Sequence, residues 1–243
     1  MDILSDDKFY LNSVSCEEVG LYCDTLPIPE MAQMRYTTWN VGADEDRTAP
    51  DDTFEDVEYT ITAYRFLPET LDNTSVHEFL FKPQTLQLSI LPGVYFKIRQ
   101  VRVRTTTEYD NRRIQYTIVF TLAPFRYNVT NPEITLDTPS GTAVVVSGNR
   151  YAKPVFKVNV PGQYLAPQSI ILTVNGQTIT VGLPDHAETV IDSEREIIYY
   201  NDQLLRNNAV GKYPLLSPGD NIISWVVTAG VSTVKLIKNE RWY

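Results

Sequence analysis

Short stretches in which apolar and polar residues alternate, separated by turn-forming residues, run along most of the chain. The clearest stretch covers residues 113–122, where every second residue from Ile114 to Leu122 is apolar. Successive side chains of a β-strand point to opposite faces, so this period of two predicts a strand with one buried face. Many short strands of this kind are typical of β-sandwiches and β-barrels. We therefore predict an all-β protein.

The stretch that precedes residues 113–122 predicts a partner strand. Residues 94–104 also alternate, but their apolar set changes parity near Arg99 and Gln100, which indicates a β-bulge. Residues 107–111 are turn formers, so the two strands are predicted to form a hairpin. Residues 59–66, rich in Thr, Tyr and Ile, predict a third strand.

Two segments of the N-terminal half depart from the strand pattern. Residues 75–89 predict one short helix, with Ser75 as its N-cap, Glu78 completing a capping box and Pro83 ending it. Residues 44–58, the acidic segment, contain eight acidic residues in fifteen and almost no apolar ones. We predict that the acidic segment is an exposed loop leading into the strand at residues 59–66.

Turn clusters around residues 128–142 predict a domain boundary, and we divide the chain into two β-sandwich-like domains, 1–130 and 131–243. About seven short strands are predicted in the second domain, enough for a β-sandwich. Asn175-Gly176 between two of them is the strongest hairpin signal in the chain. The seven predicted strands are residues 155–160, 170–174, 177–181, 189–191, 197–200, 221–228 and 231–237.

Composition limits the classes of protein to consider. The 243 residues are 43% hydrophobic and 21% charged with a net charge of −9, as expected for one large or two small folded domains. The acidic N-terminus lacks the basic and apolar regions of a secretory signal, and no apolar run approaches the length of a membrane helix. A net negative charge disfavours DNA wrapping, which depends on Lys and Arg. We expect no export by a signal peptide, no membrane span and no histone-like binding.

The charge is distributed unevenly along the chain. Residues 1–78 carry a net charge of −14, residues 79–128 carry +6, and residues 129–243 carry −1. A symmetric assembly would set an acidic face of one subunit against a basic face of the next. The alternative is a solvated acidic loop beside a basic strand of the same domain. The sequence leaves both interpretations open.

Known catalytic and metal-binding patterns are missing from the sequence. His77 and His186 share no motif, and there is neither a G-x-S-x-G elbow nor a phosphate-binding loop. Cys16 and Cys23 lack the further ligands of a zinc site, so we predict two reduced thiols, with a local disulfide as the alternative. The acidic segment lacks the spacing of a calcium loop. We predict no metal and no cofactor.

Three tryptophans raise the question of sugar binding, because aromatic rings form stacking platforms for sugars. Trp39, Trp225 and Trp242 are the candidates, but Trp225 occupies an apolar position within a predicted strand. We predict that Trp225 belongs to the core. Two distant carboxylates of a glycosidase remain an open possibility, because such a pair needs no local motif.

The order and spacing of short motifs along nearly the whole chain resemble those of one protein family. The motifs are EVGL at 18–21, LPIPE at 26–30, FEDVEY at 54–59, TLAPFRY at 121–127 and YPLL at 213–216. Their order resembles the distal tail proteins of long-tailed bacteriophages that infect Gram-positive hosts. Residues 41–47 differ, because related proteins have a Gly-Arg-Asp-Gly-like turn where this chain has one glycine and more acid.

The resemblance implies structural work in the virion and no enzymatic activity. Such proteins form a homo-hexameric ring through their N-terminal domains. The ring sits at the end of the tail tube, where it contacts the tail tube protein, and DNA passes through its channel. A galectin-like C-terminal sandwich faces outward and holds receptor-binding or other baseplate proteins, and a tail-tip hub, the tail-associated lysin, docks below. The expected location is the virion tail tip or baseplate, after assembly in the cytoplasm of the host bacterium. At 243 residues the chain looks like the short form of the family.

The resemblance and the uneven charge together predict where the assembly contacts lie. We expect ten residues at a subunit interface or at the channel wall, where acidic groups would repel DNA phosphates. The acidic candidates are Asp44, Glu45, Asp46, Asp51 and Asp52, and the basic candidates are Arg99, Arg102, Arg104, Arg112 and Arg113. The alternative functions are a carbohydrate-binding module for host recognition and an all-β glycosidase or esterase.

Overall fold

The protein is all-β and divides into two compact units. The structure is a computed structural model that describes residues 6–40, 46–66, 74–108, 113–159, 168–184, 188–200, 203–205, 209–228 and 233–243, with the backbone only at 39, 40, 46, 47, 52 and 106–108. The N-terminal unit is Met1–Val129 with Tyr243, and the C-terminal unit is Thr130–Trp242. The predicted all-β class with sandwich-like units is confirmed.

The N-terminal unit contains one main antiparallel sheet and a separate hairpin. The sheet has the order β2-β1-β7-β8-β9-β6-β3, while β4 and β5 pair with each other. A 3-10 helix, Cys16–Val19, precedes β3, and an α-helix, α1 (Thr74–Leu80), precedes β7. The strands are β1 (Phe9–Leu11), β2 (Val14–Ser15), β3 (Tyr22–Cys23), β4 (Met34–Asn40), β5 (Asp46–Phe54), β6 (Val57–Phe66), β7 (Thr85–Leu88), β8 (Val94–Glu108) and β9 (Arg113–Asn128).

The longest strands of this unit form the hairpin that the alternation predicted. β8 and β9 pair antiparallel up to Glu108 and Arg113, and every second residue of β9 from Tyr116 to Leu122 is buried. The register shifts on both sides of Ile98, so the predicted bulge is confirmed. The hairpin turn itself lies outside the described residues.

The predicted helix is present, but its start was wrong. α1 begins at Thr74, so Ser75 lies within its first turn and is not the N-cap. The capping box that the structure does contain is at the 3-10 helix, where Ser15 is the N-cap and Glu18 reaches back to it. α1 covers the main sheet: Val76 is fully buried, and the Phe79 ring lies 5.7 Å from the Phe9 ring.

The prediction that the acidic segment is a loop was also wrong. Asp46–Phe54 forms β5, and its register with β4 sets Thr48 against Thr38 and Asp46 against Asn40. Asp-rich sequence has a low β-propensity, which is why the alternation pattern misses this strand. The backbone ladder with β4 holds the strand without requiring its side chains to be buried.

The C-terminal unit is a sandwich of two sheets. One sheet has the order β10-β20-β12-β15-β16-β17 and the other β11-β19-β13-β14-β18. The seven predicted strands are all present, whereas the short strands β10, β11, β17, β18 and β21 escaped prediction. The strands are β10 (Glu133–Leu136), β11 (Thr142–Val146), β12 (Val155–Asn159), β13 (Gln168–Val174), β14 (Gln177–Leu183), β15 (Glu188–Asp192), β16 (Ile197–Tyr200), β17 (Gln203–Leu204), β18 (Ala209–Gly211), β19 (Gly219–Val227), β20 (Thr233–Ile237) and β21 (Arg241–Trp242).

The core of the C-terminal unit lies between its two sheets. Phe156 and Ile191 from one sheet and Leu172 and Ile223 from the other are fully buried. Trp225 belongs to the same cluster and is only 4% exposed, so its predicted place in the core is confirmed. A buried indole presents no face to a sugar, which removes one of the three aromatic candidates for sugar stacking.

Candidate subunit interface

The acidic candidates belong to the hairpin formed by β4 and β5, which we call the acidic hairpin. Asp46, Asp51 and Asp52 lie on β5, whereas Asp44 and Glu45 lie outside the described residues. For Asp46 and Asp52 the backbone is described but the side chain is not. Asp51 is therefore the acidic candidate whose surroundings are defined.

Asp51 carries an exposed carboxylate that stays charged. Its Oδ1 accepts hydrogen bonds from the backbone N–H of Thr53 at 2.8 Å and from the Thr53 hydroxyl at 2.5 Å. These hydrogen bonds, together with the nearby positive charge of Arg35, hold the pKa of Asp51 below its usual value. The carboxylate faces solvent as an anion at neutral pH.

Most side chains of the acidic hairpin have little to pack against. Among the described strands, β4 and β5 pair only with each other, and Tyr36 is 64% exposed. The hairpin is anchored at its base, where the N–H of Glu55 donates to the carbonyl of Gln33 at 2.9 Å. The Phe54 ring packs there against Phe125 and Tyr243, with ring centroids 5.4 and 5.7 Å away. Beyond this base, neither outer edge of the hairpin pairs with another strand that the structure describes.

The basic candidates have different surroundings. Arg102 forms an exposed ion pair with Glu58, with Nη2 2.7 Å from Oε2, and Arg113 lies 4.8 Å from the centre of the Tyr64 ring. Arg99 and Arg104 are exposed and make no ion pair with any other described residue. Arg112 lies outside the described residues. Glu58–Arg102 is thus an ion pair that joins the acidic segment to the basic candidates within one chain.

Arg99, Arg102 and Arg104 lie on a strand with one free edge. β7 pairs with β8 only through Phe96 and Lys97, and one further backbone hydrogen bond joins Ile98 to Gln84. From residue 100 to Glu108, β8 pairs only with β9 as far as the structure describes the chain. The outer N–H and C=O groups of these residues are available to another strand.

A groove opens where the free edge of β8 begins. It has a volume of about 510 Å³ and lies between the end of α1 and the bulge of β8. Phe81 is 69% exposed at the groove, and the ammonium group of Lys82 lies 5.0 Å from its ring centre. Arg99 lines the other side, so the groove combines apolar walls with two cationic groups.

Sequence reasoning found the charges of this surface but missed its geometry. The free edge of β8 and the isolation of the acidic hairpin follow from which strands pair, and no local pattern reports that. Exposed Tyr36 and Phe81 were also missed, because single aromatic residues are more often found in cores. The alternation of residues 94–104 correctly predicted the strand that carries this edge, β8.

The two outer faces of the C-terminal sandwich differ in charge. On one sheet, Glu133 pairs with Lys157 at 2.6 Å and with Lys235 at 2.7 Å. On the other, Val226, Ile171, Thr180 and Val210 form one row across β19, β13, β14 and β18. Val226 and Val210 of this row are 65% and 76% exposed. We call this uncharged row with its sheet the apolar face.

The described residues offer no metal site and no membrane helix. No group of three or more His, Cys, Asp or Glu among them is arranged to hold a metal ion. Within the same ranges, no helix has both the length and the apolar character needed to cross a membrane.

Comparisons with known proteins identify the fold. No known family model matches the chain, and no curated protein matches its sequence. One solved structure is similar over nearly the whole length: SPP1 Dit (gp 19.1), described as a paradigm of hub adsorption apparatus in Gram-positive infecting phages. The match covers 98% of this chain and 100% of that one, with a TM-score of 0.67 and 13% sequence identity. The resemblance inferred from the motifs is therefore confirmed as a likeness of fold to SPP1 Dit.

Proposed function

We propose that the chain is a structural protein of a phage tail tip, where six copies form a ring that joins the tail tube to the tail-tip hub. The observation that carries the proposal is the coexistence, in one unit, of a hairpin with unpaired edges and a strand with a free edge. The fold likeness to SPP1 Dit over both units supports it. The role is mechanical, with no enzymatic activity and no cofactor.

The acidic hairpin and the free edge of β8 complement each other in backbone hydrogen bonding. An isolated two-stranded hairpin is marginally stable in water, and a long free edge invites another strand. If the hairpin of one copy adds as a neighbouring strand to β8 of the next, the hairpin gains a partner sheet and the free edge of β8 gains a partner strand. This contact joins two different surfaces of the subunit. Repeated from copy to copy, such a contact gives a closed ring when the rotations between neighbours add up to a full turn.

Charge complementarity sets the register of the proposed contact. The acidic hairpin carries Asp51 as an exposed anion, while Arg99 and Arg104 are exposed cations on and beside the free edge. Each exposed pair contributes only about 0–1 kcal/mol, so charges select the alignment and strand pairing supplies most of the stability. The Phe81 groove, which lies at the same edge, adds apolar area to the contact.

The acidic segment also suits a channel for DNA. Carboxylates repel the phosphates of the duplex, and a wall with few fixed cations gives DNA no strong binding site. We assign Asp44, Glu45, Asp46, Asp51 and Asp52 to the interface or the channel wall. DNA is transient cargo of this channel and not a bound ligand.

The C-terminal unit, as a galectin-like sandwich, is proposed to hold receptor-binding or baseplate proteins on its outward side. The apolar face supports this role, because an exposed row of Val226, Ile171, Thr180 and Val210 without charge is typical of a docking surface. Val226→Lys, with Asn159→Lys at an exposed position of β12 on the opposite sheet as control, tests it in assembled particles. Particles carrying V226K should lose the receptor-binding protein, as measured by mass spectrometry, while retaining the ring.

The solution mass of the purified chain tests the ring. Light scattering should give about six or twelve times the 27.7 kDa of one chain, and negative-stain images should show a central hole. The measurement is repeated after mixing with the tail tube protein of the same phage, which supplies a template for the ring. A monomer under both conditions contradicts the proposal.

A further inference from the structure

The two cysteines of the chain lie together in the core of the N-terminal unit. Cys16 is fully buried and Cys23 is 1% exposed, and both are free thiols. Their side chains are hydrogen-bonded to each other. The chain contains no third cysteine, so a reaction between these two has no competing partner within one copy.

The backbone fixes this pair in place. Cys16 is the first residue of the 3-10 helix, which is capped at its start by the reciprocal contacts of Ser15 and Glu18. Gly20, at φ 75°, turns the chain back, and the N–H of Leu21 donates to the carbonyl of Cys16 at 3.0 Å. Cys23 follows in β3, where it is paired with Ala63 of β6. The two thiols therefore meet because the turn between them is hydrogen-bonded.

The hydrogen bond makes the two thiols chemically unequal. Accepting it from Cys23 lowers the pKa of the Cys16 thiol to about 7, whereas donating it raises the pKa of Cys23 above its ordinary value. A thiolate is the reactive form of cysteine. We therefore expect Cys16 to be the thiol that attacks an oxidant, and Cys23, which lies next to it, to be the thiol that resolves an oxidised Cys16.

We propose that Cys16 and Cys23 are a site of intramolecular disulfide formation that responds to small peroxides. The Cys16 thiolate attacks hydrogen peroxide, breaking its O–O bond to give a sulfenic acid and hydroxide. The Cys23 sulfur then attacks the Cys16 sulfur, the S–S bond forms, and the sulfenic oxygen leaves as water. Overall, two thiols and one peroxide give one disulfide and two waters. The oxidant must be small and uncharged, because both thiols are buried.

The bond would fasten the N-terminal turn to the main sheet. It closes a short loop that joins the 3-10 helix to β3 beside β6. Its timing rests on the proposed function: a tail protein assembles in the reducing cytoplasm of the host and meets oxidants after release. The disulfide would then strengthen the released particle without interfering with folding or ring closure.

Thiol counting on the purified full chain, before and after hydrogen peroxide, tests the site. After treatment, the chain is denatured, alkylated without reductant and weighed by mass spectrometry. We expect the monomer mass to fall by two hydrogen atoms, both cysteines to escape alkylation, and dithiothreitol to restore both. The melting temperature of the oxidised chain should rise by roughly 5 °C, as for a short closed loop.

Matched variants separate the disulfide from other oxidation. Cys16→Ser and Cys23→Ser each keep one thiol, and we expect neither to lose two hydrogens as a monomer or to gain thermal stability with peroxide. The proposal is overturned if the wild-type chain keeps both thiols alkylatable, gains oxygen without losing hydrogen, or forms only disulfide-linked dimers. The thiol count on the wild-type chain depends neither on the folding of a variant nor on ring formation. A negative thiol count is therefore distinguishable from a failure of the proposed function.

Discussion

The Tyr59 hydroxyl illustrates how single buried groups shape the path into the acidic hairpin. Tyr59 is 3% exposed, and its hydroxyl donates a hydrogen bond of 2.7 Å to the carbonyl of Pro27. Pro27 lies in the stretch that leads from β3 to β4, and Asp7 holds the same stretch by accepting from the N–H of Leu26 at 3.1 Å. A buried tyrosine and a partly buried aspartate therefore fix the segment from which the hairpin departs.

Tyr59→Phe should destabilise the N-terminal unit and alter its response to alkaline pH. At neutral pH the loss of one hydrogen bond costs about 1 kcal/mol. Burial raises the pKa of Tyr59, so the folded chain keeps a proton that the unfolded chain loses above about pH 10. Stability contributed by Tyr59 is thus present below pH 10 and lost as the pH rises further.

Urea denaturation at pH 7 and between pH 9.5 and 11 measures both effects for Tyr59→Phe. The free energy of unfolding should fall with rising pH in both proteins, but less steeply in the variant, by up to about 1.4 kcal/mol per pH unit. Tyr36→Phe is the control, because Tyr36 is 64% exposed and should change neither quantity. Equal alkaline slopes for wild type and Y59F would contradict the role assigned to burial.

At the scale of elements, local signals were sufficient where side-chain burial alternates and insufficient where backbone pairing decides. The sequence predicted β8, its bulge, β9 and seven strands of the C-terminal unit, because buried and more exposed residues alternate along most of these strands. It missed β5, which pairs with β4 despite its carboxylates, and β17 and β18, which are too short for a pattern. The free edge of β8 depends on the length of β7 and is visible only in the assembled sheet.

The turn between β13 and β14 is an element that the sequence specified by itself. Asn175 and Gly176 have φ of 49° and 81°, as a two-residue type I′ turn requires. The Cβ of Gly176→Ala would contact no other atom, but alanine disfavours the left-handed backbone conformation of this position. The substitution should therefore lower the free energy of unfolding by about 1–2 kcal/mol. Thermal unfolding measures the loss. Gln177→Ala, exposed and next in sequence, is the control expected to stay within about 0.5 kcal/mol of wild type.

Excision of the acidic hairpin tests its assignment to assembly. Met34 and Phe54 are register partners at its base, so residues 35–53 are replaceable by Asn-Gly, a two-residue turn. The described side chains removed are exposed or only partly buried, and Phe54 keeps its contacts with Phe125 and Tyr243. We expect the excised chain to fold with nearly the melting temperature of the wild-type monomer but to remain monomeric by light scattering. If the chain without the hairpin still forms a hexamer, the hairpin is not part of the interface.

At the scale of the whole molecule, the likeness to SPP1 Dit concerns the fold, whereas the segregation of charge concerns the residues at the proposed contacts between copies. The likeness to SPP1 Dit concerns both units and says nothing about single residues, because the sequences are only 13% identical. The net charges of −14 and +6 on successive segments belong to this chain. Within the described residues, Glu58–Arg102 is an ion pair between these two segments, and Arg99 and Arg104 make no ion pair with another described residue. The proposed contact between copies therefore depends on charges that belong to this chain.

Salt dependence of the assembled particle separates charge from strand pairing. Raising salt from about 0.1 to 1 M shortens the screening length from about 10 to 3 Å and removes most of an exposed pair's energy. Each pair contributes about 0–1 kcal/mol, so a ring held by strand pairing should keep its mass at high salt. Arg99→Glu with Arg104→Glu should weaken assembly at low salt, because like charges then meet at all six contacts, and high salt should partly restore it. Lys212→Glu, an exposed change of the same kind in the C-terminal unit, should leave the mass unchanged. If the wild-type ring falls apart in 1 M salt, charge and not strand pairing holds it together, and the free edge of β8 loses its assigned role.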